Sequence, residues 1–304
     1  MIRRTPSSSA LPAWAVVCLL TAVSAAAFVT ACGSSAGGSS PATSVATGAA
    51  TATPSATPSS PSSPTAAGTT TLSLYLLRGE ELGVAERRVP PTATPATAAM
   101  EALLAGPTTA ESAAGLTSAV PSGTRLLGLS IDGTTARIDL SAQFAAGGGS
   151  LAMQARVAQV VYTLTQFKTV AAVTFMIDGS TVDALGGEGL MLDAGQTRAD
   201  WHSFEPAIFV ERPGVGAVLS SPFVLDGTAS VFEGSFAARL ADAGGDIANA
   251  TIQASRGAPE RGGFRETVSF TTTAQSGTLI VFSQSMEDGS HQNEVRIPVT
   301  FAQE

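Results

Sequence analysis

The chain has 304 residues, of which 44% are hydrophobic and 13% charged, and its formal net charge is −8. This length allows one large domain or two small domains, each able to bury a core. A chain this acidic is not attracted electrostatically to nucleic acid or to anionic lipid headgroups, so its charge predicts neither as a partner.

The first 31 residues have the pattern of a secretory signal. Arg3 and Arg4 precede an apolar run over residues 11–28, and small residues follow before Cys32. The run approaches the roughly 20 residues of a membrane-spanning helix. It is rich in alanine, however, and no charged cluster follows it. A retained transmembrane anchor and an ordinary secretory signal are the two alternatives.

The last four residues of this segment favour a lipid anchor over both alternatives. Val29-Thr30-Ala31-Cys32 resembles the bacterial lipobox, in which cleavage precedes a cysteine that carries the lipid. We therefore predict that residues 1–31 are removed, that Cys32 is lipidated, and that the lipid holds the protein at the extracytoplasmic face of the cell membrane.

Cysteine use and charge agree with export as a lipoprotein. Cys18 lies inside the predicted signal, so a mature chain starting at Cys32 contains no disulfide. Loss of Arg3 and Arg4 lowers the basic residues from 16 to 14 against 24 acidic residues, which gives a net charge of −10.

Residues 32–70 are predicted to form a disordered linker behind the lipid. After Cys32 this stretch is dominated by Ser, Thr, Ala, Pro and Gly and contains no charged or aromatic residue. Such a composition buries too little apolar surface to offset the entropy lost on ordering. Glycosylation of its Ser/Thr/Pro tract is left open.

Periodicity then predicts an α+β domain over residues 71–195. Thr94 or Thr97 can cap the first helix, Ser150 the second, and Asp132-Gly133 marks a hairpin turn. The runs, in the order β-α-β-β-α-β, are residues 71–77, 98–104, 127–131, 136–140, 150–167 and 170–177. Two helices with one apolar stripe each predict a two-layer α+β sandwich.

A second domain, an all-β sandwich, is predicted over residues 204–304, with the boundary between Leu192 and Phe204. Short apolar or alternating runs are separated there by Gly, Pro and Asp, and no helical stripe interrupts them. The runs are residues 208–210, 218–224, 228–232, 236–240, 247–254, 265–270, 279–283 and 295–301.

Both segments resemble known domains. The first is similar to the GerMN domain of sporulation and spore germination proteins, through residues 100–107, 119–124, 161–167 and 173–179. The second resembles the immunoglobulin-like domain that often follows GerMN, through residues 218–223, 227–229, 232–234 and 297–299. The resemblance implies a non-catalytic envelope lipoprotein, in some relatives part of an assembly in a sporulating cell. It leaves self-association through the GerMN-like domain open.

Motifs for catalysis or metal binding are weak. Residues 33–37 match the G-x-S-x-G pattern but lie in the predicted linker, without the strand and helix that a hydrolase elbow needs. His202 and His291 have no His or Cys neighbour, whereas zinc sites use three or four ligands. Gly214-Val215-Gly216 lacks the third glycine and the strand-to-helix setting of a phosphate loop.

Acidic and aromatic residues have simpler explanations than a site. Asp242 and Asp246 lie in a loop poor in the oxygen ligands that calcium needs. Glu233 is interpreted as a solvated strand end rather than a partner contact. Four aspartates precede glycine and indicate turns: Asp132, Asp178, Asp226 and Asp288. Three helical side chains are assigned to core packing: Met153, Tyr162 and Phe167.

The sequence therefore predicts no catalytic, cofactor-binding or metal-binding residue, and lipidation at Cys32. We expect a non-enzymatic, membrane-anchored envelope lipoprotein that binds or scaffolds an envelope protein or peptidoglycan. The alternatives are a cell-wall hydrolase with two close carboxylates, and a solute-binding lipoprotein with a polar cavity between its domains.

Overall fold

The computed structural model describes residues 68–186, 189–192 and 194–303. The predicted signal, Cys32 and residues 33–67 of the predicted linker lie outside the described residues. Among the helices described, none combines the length and the apolar character that crossing a bilayer would require.

The described residues of the N-terminal α+β domain form twelve α-helices and β-strands. They are β1 (Thr70–Arg78), β2 (Glu81–Val89), α1 (Pro95–Leu104), α2 (Thr109–Ala113), β3 (Leu116–Thr117), β4 (Leu126–Asp132), β5 (Thr135–Leu140), α3 (Ser150–Leu164), β6 (Ala172–Ile177), β7 (Ser180–Thr181), β8 (Ala184–Leu185) and β9 (Leu190–Met191).

The strands of this domain form two main sheets rather than one. One has the order β2-β1-β3 and the other the order β4-β5-β6-β7, while β8 and β9 pair only with each other. The pair β5 and β6 is parallel, with α3 as its crossover helix, and α3 also packs against β1 and α1. The predicted fold class, α+β followed by all-β, is confirmed, but the predicted element order omits β2.

Local patterns explain which elements were predicted. Residues Met153, Val157, Val160, Val161 and Leu164 of α3 are buried, which confirms its apolar stripe. The helix ends at Leu164, however, so the predicted end at Phe167 is wrong, and Phe167 is half-buried in the turn that follows. Of the predicted caps, Thr94 occupies the N-cap of α1 but makes no side-chain capping hydrogen bond, and Ser150 is wrong because Gly149 occupies the N-cap of α3. Pro95 at the first turn, with its fixed φ, starts α1 instead.

Polar side chains of α3 occupy the place of a missing strand beside β1. Gln159 Nε2 donates to the Tyr75 carbonyl at 3.1 Å, and Thr163 Oγ1 accepts from the Tyr75 amide at 3.3 Å. Just beyond the end of α3, Gln166 Oε1 accepts from the Ser73 amide at 2.9 Å and Gln166 Nε2 donates to the Ser73 carbonyl at 2.7 Å. Buried backbone groups must be paired, so these side chains belong to the core although they are polar.

The C-terminal domain is a β-sandwich. Its strands are β10 (Ile208–Arg212), β11 (Val218–Leu219), β12 (Phe223–Ala229), β13 (Ser235–Asp242), β14 (Gly245–Gln253), β15 (Gly262–Val268), β16 (Ser276–Gln284) and β17 (His291–Phe301). A three-stranded sheet, β10-β12-β15, faces a five-stranded sheet, β11-β17-β16-β13-β14. Phe236 and Phe264, one from each sheet, pack edge to face at 4.9 Å between ring centroids.

Two of the predicted strands are wrong in this domain. The run over residues 218–224 is divided between β11 and β12, which lie in different sheets. Residues 220–222 between them, including Pro222, which has no amide hydrogen to donate, belong to neither strand. The run over residues 228–232 is the end of β12 followed by a short 3-10 turn at Phe232–Gly234. Glu233 lies in that turn with φ of 53° and not at a strand end, which corrects its predicted setting.

The polar seam between α3 and β1 gives a stability prediction. Gln159→Leu removes the partner of the Tyr75 carbonyl and of the Ala119 amide, which Gln159 Oε1 binds at 2.8 Å. Leaving both groups unpaired in the core should lower the free energy of unfolding by about 2–4 kcal/mol. Urea unfolding of the full-length chain measures this loss.

Gln154→Leu is the matched control on the same helix. Gln154 is half-buried and its side chain bonds Ser150 in an exposed contact. Its replacement should change the free energy of unfolding by less than about 0.5 kcal/mol. Equal losses for the two variants would show that the seam adds nothing specific.

Candidate inter-domain site

Strand β2 of the α+β domain pairs with a segment of the β-sandwich. The Glu86 amide donates to the Val215 carbonyl and the Val215 amide to the Val84 carbonyl, both at 2.8 Å. Gly214 permits this contact, because a Cβ there would lie 2.9 Å from the Val84 carbonyl oxygen. The Gly214-Val215-Gly216 segment thus forms part of the domain junction. The close approach to β2 explains Gly214, and sequence reasoning missed this role.

Arg198 joins the two domains at the centre of this contact. It lies between them in sequence, in a 3-10 segment spanning Arg198–Phe204. Its guanidinium donates to both oxygens of Glu211, at 3.0 and 2.9 Å, and to the Tyr75 hydroxyl at 2.9 Å. The Tyr75 hydroxyl in turn donates to Glu211 at 2.5 Å. The guanidinium also lies 4.7 Å from the ring centroid of Tyr162, in cation–π range.

A second carboxylate repeats this arrangement nearby. Glu205 is nearly buried and accepts from the Tyr162 hydroxyl at 2.5 Å, while Arg261 Nε lies 2.8 Å from its other oxygen. Arg261 also donates to the Pro206 carbonyl at 2.9 Å. Glu205 therefore connects α3 of one domain to the β15 side of the other.

The electrostatics of this cluster keep both phenols neutral. Burial raises the pKa of Tyr75 well above its ordinary value, and Glu211 adds to the effect against Arg198. Burial, followed by Glu205, raises the pKa of Tyr162 in the same direction. Burial alone would lower the pKa of Arg198, but its interactions with Tyr75 and Glu211 outweigh burial and raise it. Neutral hydroxyl donors and a fixed cation therefore face the two carboxylates.

An open groove of about 790 Å³ lies beside this cluster, and both domains line it. On its β-sandwich side, Arg212 and Arg265 both bind Asp226, with shortest contacts of 2.7 and 2.6 Å. On its α+β side, burial raises the pKa of Glu86, whose carboxylate accepts from the Gly214 amide at 2.9 Å. The charged side chains of the groove are thus held by hydrogen bonds and ion pairs within the protein.

Asp226-Gly227 corrects one sequence interpretation. Both residues lie within β12 and not in a turn. Gly227 is required because a Cβ there would lie 2.0 Å from the Phe209 carbonyl oxygen on β10. Asp226 is buried as the shared partner of two arginines. An Asp-Gly pair indicates a turn only where no neighbouring strand explains the glycine.

The remaining residues singled out in the sequence are spread over the chain. His202 is exposed and lies 3.7 Å from Glu205, while His291 stacks on Phe282 and lies 3.1 Å from Glu294. Within the described residues, no group of three or more His, Cys, Asp or Glu side chains could hold a metal ion.

The two aspartates weighed for calcium have separate structural roles. Asp242 accepts from the Gly244 amide at 2.7 Å and from the Thr272 hydroxyl at 2.6 Å, at the β13–β14 turn. Asp246 lies 3.4 Å from Arg239.

Of the aromatic and sulfur side chains assigned to packing, Met153 and Tyr162 are buried and Phe167 is half-buried at the groove. Tyr162 has a further role through its hydroxyl, which reaches Glu205. Sequence reasoning did not single out Tyr75, Arg198, Glu205 or Glu211. The only signal that could have found the last three is their position close to the predicted domain boundary.

Glu211→Gln should weaken the junction. The change removes the charge opposite Arg198, whose side chain is only 27% exposed, and should lower the free energy of unfolding by about 1–3 kcal/mol. Glu260→Gln is the control, since Glu260 and its partner Arg256 are 64% and 65% exposed and such pairs contribute about 0–1 kcal/mol. Thermal unfolding of the two variants measures the difference. If Glu211→Gln loses no more stability than Glu260→Gln, the Arg198–Glu211 pair has no structural role.

Comparison with known proteins places these two domains. The family model described as Germane, "Sporulation and spore germination", matches residues 73–183. The model Gmad2, "Immunoglobulin-like domain of bacterial spore germination", matches residues 207–290. No curated protein matches the chain.

Three solved structures are similar to parts of the chain. The tandem GerMN domains of the sporulation protein GerM from Bacillus subtilis match at 19% identity and a TM-score of 0.40, over 60% of each chain. A putative lipoprotein from Clostridium perfringens matches at 24% identity and 0.33, over 45% of this chain and 93% of that one. The first GerMN domain of GerM matches at 22% and 0.37, over 43% and 99%. The chain thus contains one segment, residues 73–183, that matches the GerMN-type sporulation and spore germination model, and a second, residues 207–290, that matches the model of the immunoglobulin-like domain of bacterial spore germination.

Proposed function

We propose that this protein is a lipoprotein of the bacterial cell membrane that acts without catalysis, as a binding or scaffolding module in spore formation, germination or envelope assembly. The observation that carries the proposal is the pairing of two germination-type domains in one chain, joined through Arg198. The membrane anchor is supported by the sequence before Cys32. An anchored, rigid pair of domains is suited to presenting a surface at a set place in the envelope.

The side chains of the groove support binding rather than turnover. Glu211 is held by Arg198, and Asp226 is held by Arg212 and Arg265. A general acid or base must exchange its proton with the substrate, whereas these carboxylates already accept hydrogen bonds from guanidinium groups of the protein. These carboxylates serve the structure of the groove.

One observation favours the alternative of a cell-wall hydrolase. Burial raises the pKa of Glu86, as in a general acid, and Glu86 lines the groove. Its carboxylate accepts the Gly214 amide hydrogen, however, which supports a role in the junction. The full-length chain incubated with purified wall sacculi should release no soluble sugar fragments. Release that Glu86→Gln abolishes would replace our proposal with the hydrolase.

The contents of the junction bear on the alternative of a solute-binding lipoprotein. The rings of Tyr75, Tyr162 and Phe209 pack against one another in the junction, with centroids 5.5 to 6.1 Å apart. The separate cavity between the domains beside Phe209 measures about 160 Å³, below the roughly 300–1,000 Å³ of small-molecule pockets. A solute site would enclose its ligand. The groove beside this cluster is instead open, which suits an extended partner.

Cys32→Ala should release the protein from the membrane. Without the cysteine no acyl chain is attached, and each acyl methylene contributes about 0.8 kcal/mol to membrane binding. In detergent phase separation the variant should move to the aqueous phase, and mass spectrometry should show no lipid.

Cys18→Ala is the matched control, because Cys18 lies in the predicted signal and should not alter the mature protein. Partners crosslinked on intact cells should be kept in this control and lost in Cys32→Ala. A Cys32→Ala protein that stays in the detergent phase would rule out the lipid anchor.

A further inference from the structure

The charge of the inter-domain groove is opposite to that of the chain. Its lining contains three carboxylates, Glu86, Glu211 and Asp226. It also contains four cationic side chains: Lys168, Arg198, Arg212 and Arg265. The whole chain carries −8. A locally positive groove on an acidic protein concentrates anions there and repels them elsewhere on the surface.

The arginines of the groove differ in what they can offer a ligand. Arg198 is largely buried and its guanidinium is used by Glu211 and Tyr75. Arg212 and Arg265 have side chains 60% and 63% exposed and share the single carboxylate of Asp226. Two guanidinium groups on one carboxylate leave a positive charge and outward N–H donors, held in place by a buried aspartate. Such forks suit carboxylate and phosphate groups.

The opposite wall adds groups suited to a polyhydroxylated chain. Thr71 is exposed at the groove, Lys168 is exposed at its rim, and Phe167 of the same domain is half-buried in the lining. The chain's own residues 33–67 cannot satisfy the surplus charge, because they carry no acidic residue. The occupant must therefore bring its own anion.

We propose that this groove binds an acidic wall polymer, a sugar or polyol chain bearing carboxylate or phosphate groups, with Arg212 and Arg265 as the anion-binding residues and Lys168 at the rim. The inference rests on the proposed function and names its binding partner by chemistry. The groove is open to solvent rather than enclosed, so it suits a continuous polymer better than a free small anion.

Sedimentation with purified wall sacculi tests the proposal. The full-length chain in mild detergent should pellet with sacculi, and pelleting should weaken as salt is raised. The double variant Arg212→Gln/Arg265→Gln should bind at least about tenfold more weakly, because it loses charged hydrogen bonds to the polymer. Lys168→Glu reverses an exposed charge at the rim and should also weaken binding, so the test does not depend on the fold tolerating an unpaired Asp226.

Arg256→Gln is the matched control. Arg256 is 65% exposed and paired with one carboxylate, as the groove arginines are, but it does not line the groove. Its replacement should leave pelleting unchanged. Wild-type chain that stays in the supernatant, or equal pelleting of wild type, the double variant and Lys168→Glu, would overturn the proposal.

Two further arms identify which anion is bound. Sacculi stripped of phosphodiester polymers should still bind if the anion is a carboxylate and should lose binding if it is a phosphate. Lys168 is the single lysine of the chain. A carbodiimide should therefore join its amine to a bound carboxylate as an amide, the reagent taking up the lost water as a urea, and Lys168→Arg should abolish that bond while retaining pelleting.

Failure of this test and failure of the proposed function are distinguishable. Loss of sacculus binding with the lipid still on Cys32 and with crosslinked protein partners intact would overturn the groove assignment alone. Absence of the lipid would leave the sedimentation result unaffected, because that assay uses detergent-solubilised chain.

Discussion

The guanidinium of Arg198 is the constraint on which the arrangement of the two domains depends. A cation that is largely removed from water must be paired, and breaking such a pair costs more than the pair itself contributes. Its partners come from both sides of the junction, Tyr75 from β1 and Glu211 from β10. A relative rotation of the domains would separate the cation from one of them. The pair therefore specifies one arrangement, whatever its net contribution to stability.

The same junction protects the edge of a strand. β2 lies at the end of the β2-β1-β3 sheet, where unpaired backbone groups would invite pairing with other chains. Val215 of the β-sandwich pairs with Val84 and Glu86 there, and the glycine before it allows the two backbones to approach. On the other side of this sheet, Gln159 and Thr163 of α3 and Gln166 just beyond it bond the backbone of β1. Each domain thus depends on groups distant in sequence for its backbone hydrogen bonds.

Local patterns were sufficient to predict the elements whose causes are local. The stripe of α3 and the β4–β5 hairpin follow from spacing within a single element, and both are confirmed. β2 was missed because four of its nine residues are charged, although Leu82 to Ala85 are buried. Asp226-Gly227 was misread because its reasons, the Phe209 carbonyl and two arginines, lie on other strands. Tyr75 and Arg198 are 123 residues apart, so no periodicity could have joined them.

Burial decides what each arginine of the groove can do. The guanidinium of Arg198 lies 5.1 and 4.7 Å from the ring centroids of Tyr75 and Tyr162 and binds the carboxylate of Glu211, so its charge is paired within the protein. The guanidinium groups of Arg212 and Arg265 are exposed to water instead, and both bind the single carboxylate of Asp226. Arg198 therefore joins the two domains beside the groove, whereas Arg212 and Arg265 remain accessible to a ligand. Exposed guanidinium groups held by a buried aspartate are suited to binding an anion that enters the groove.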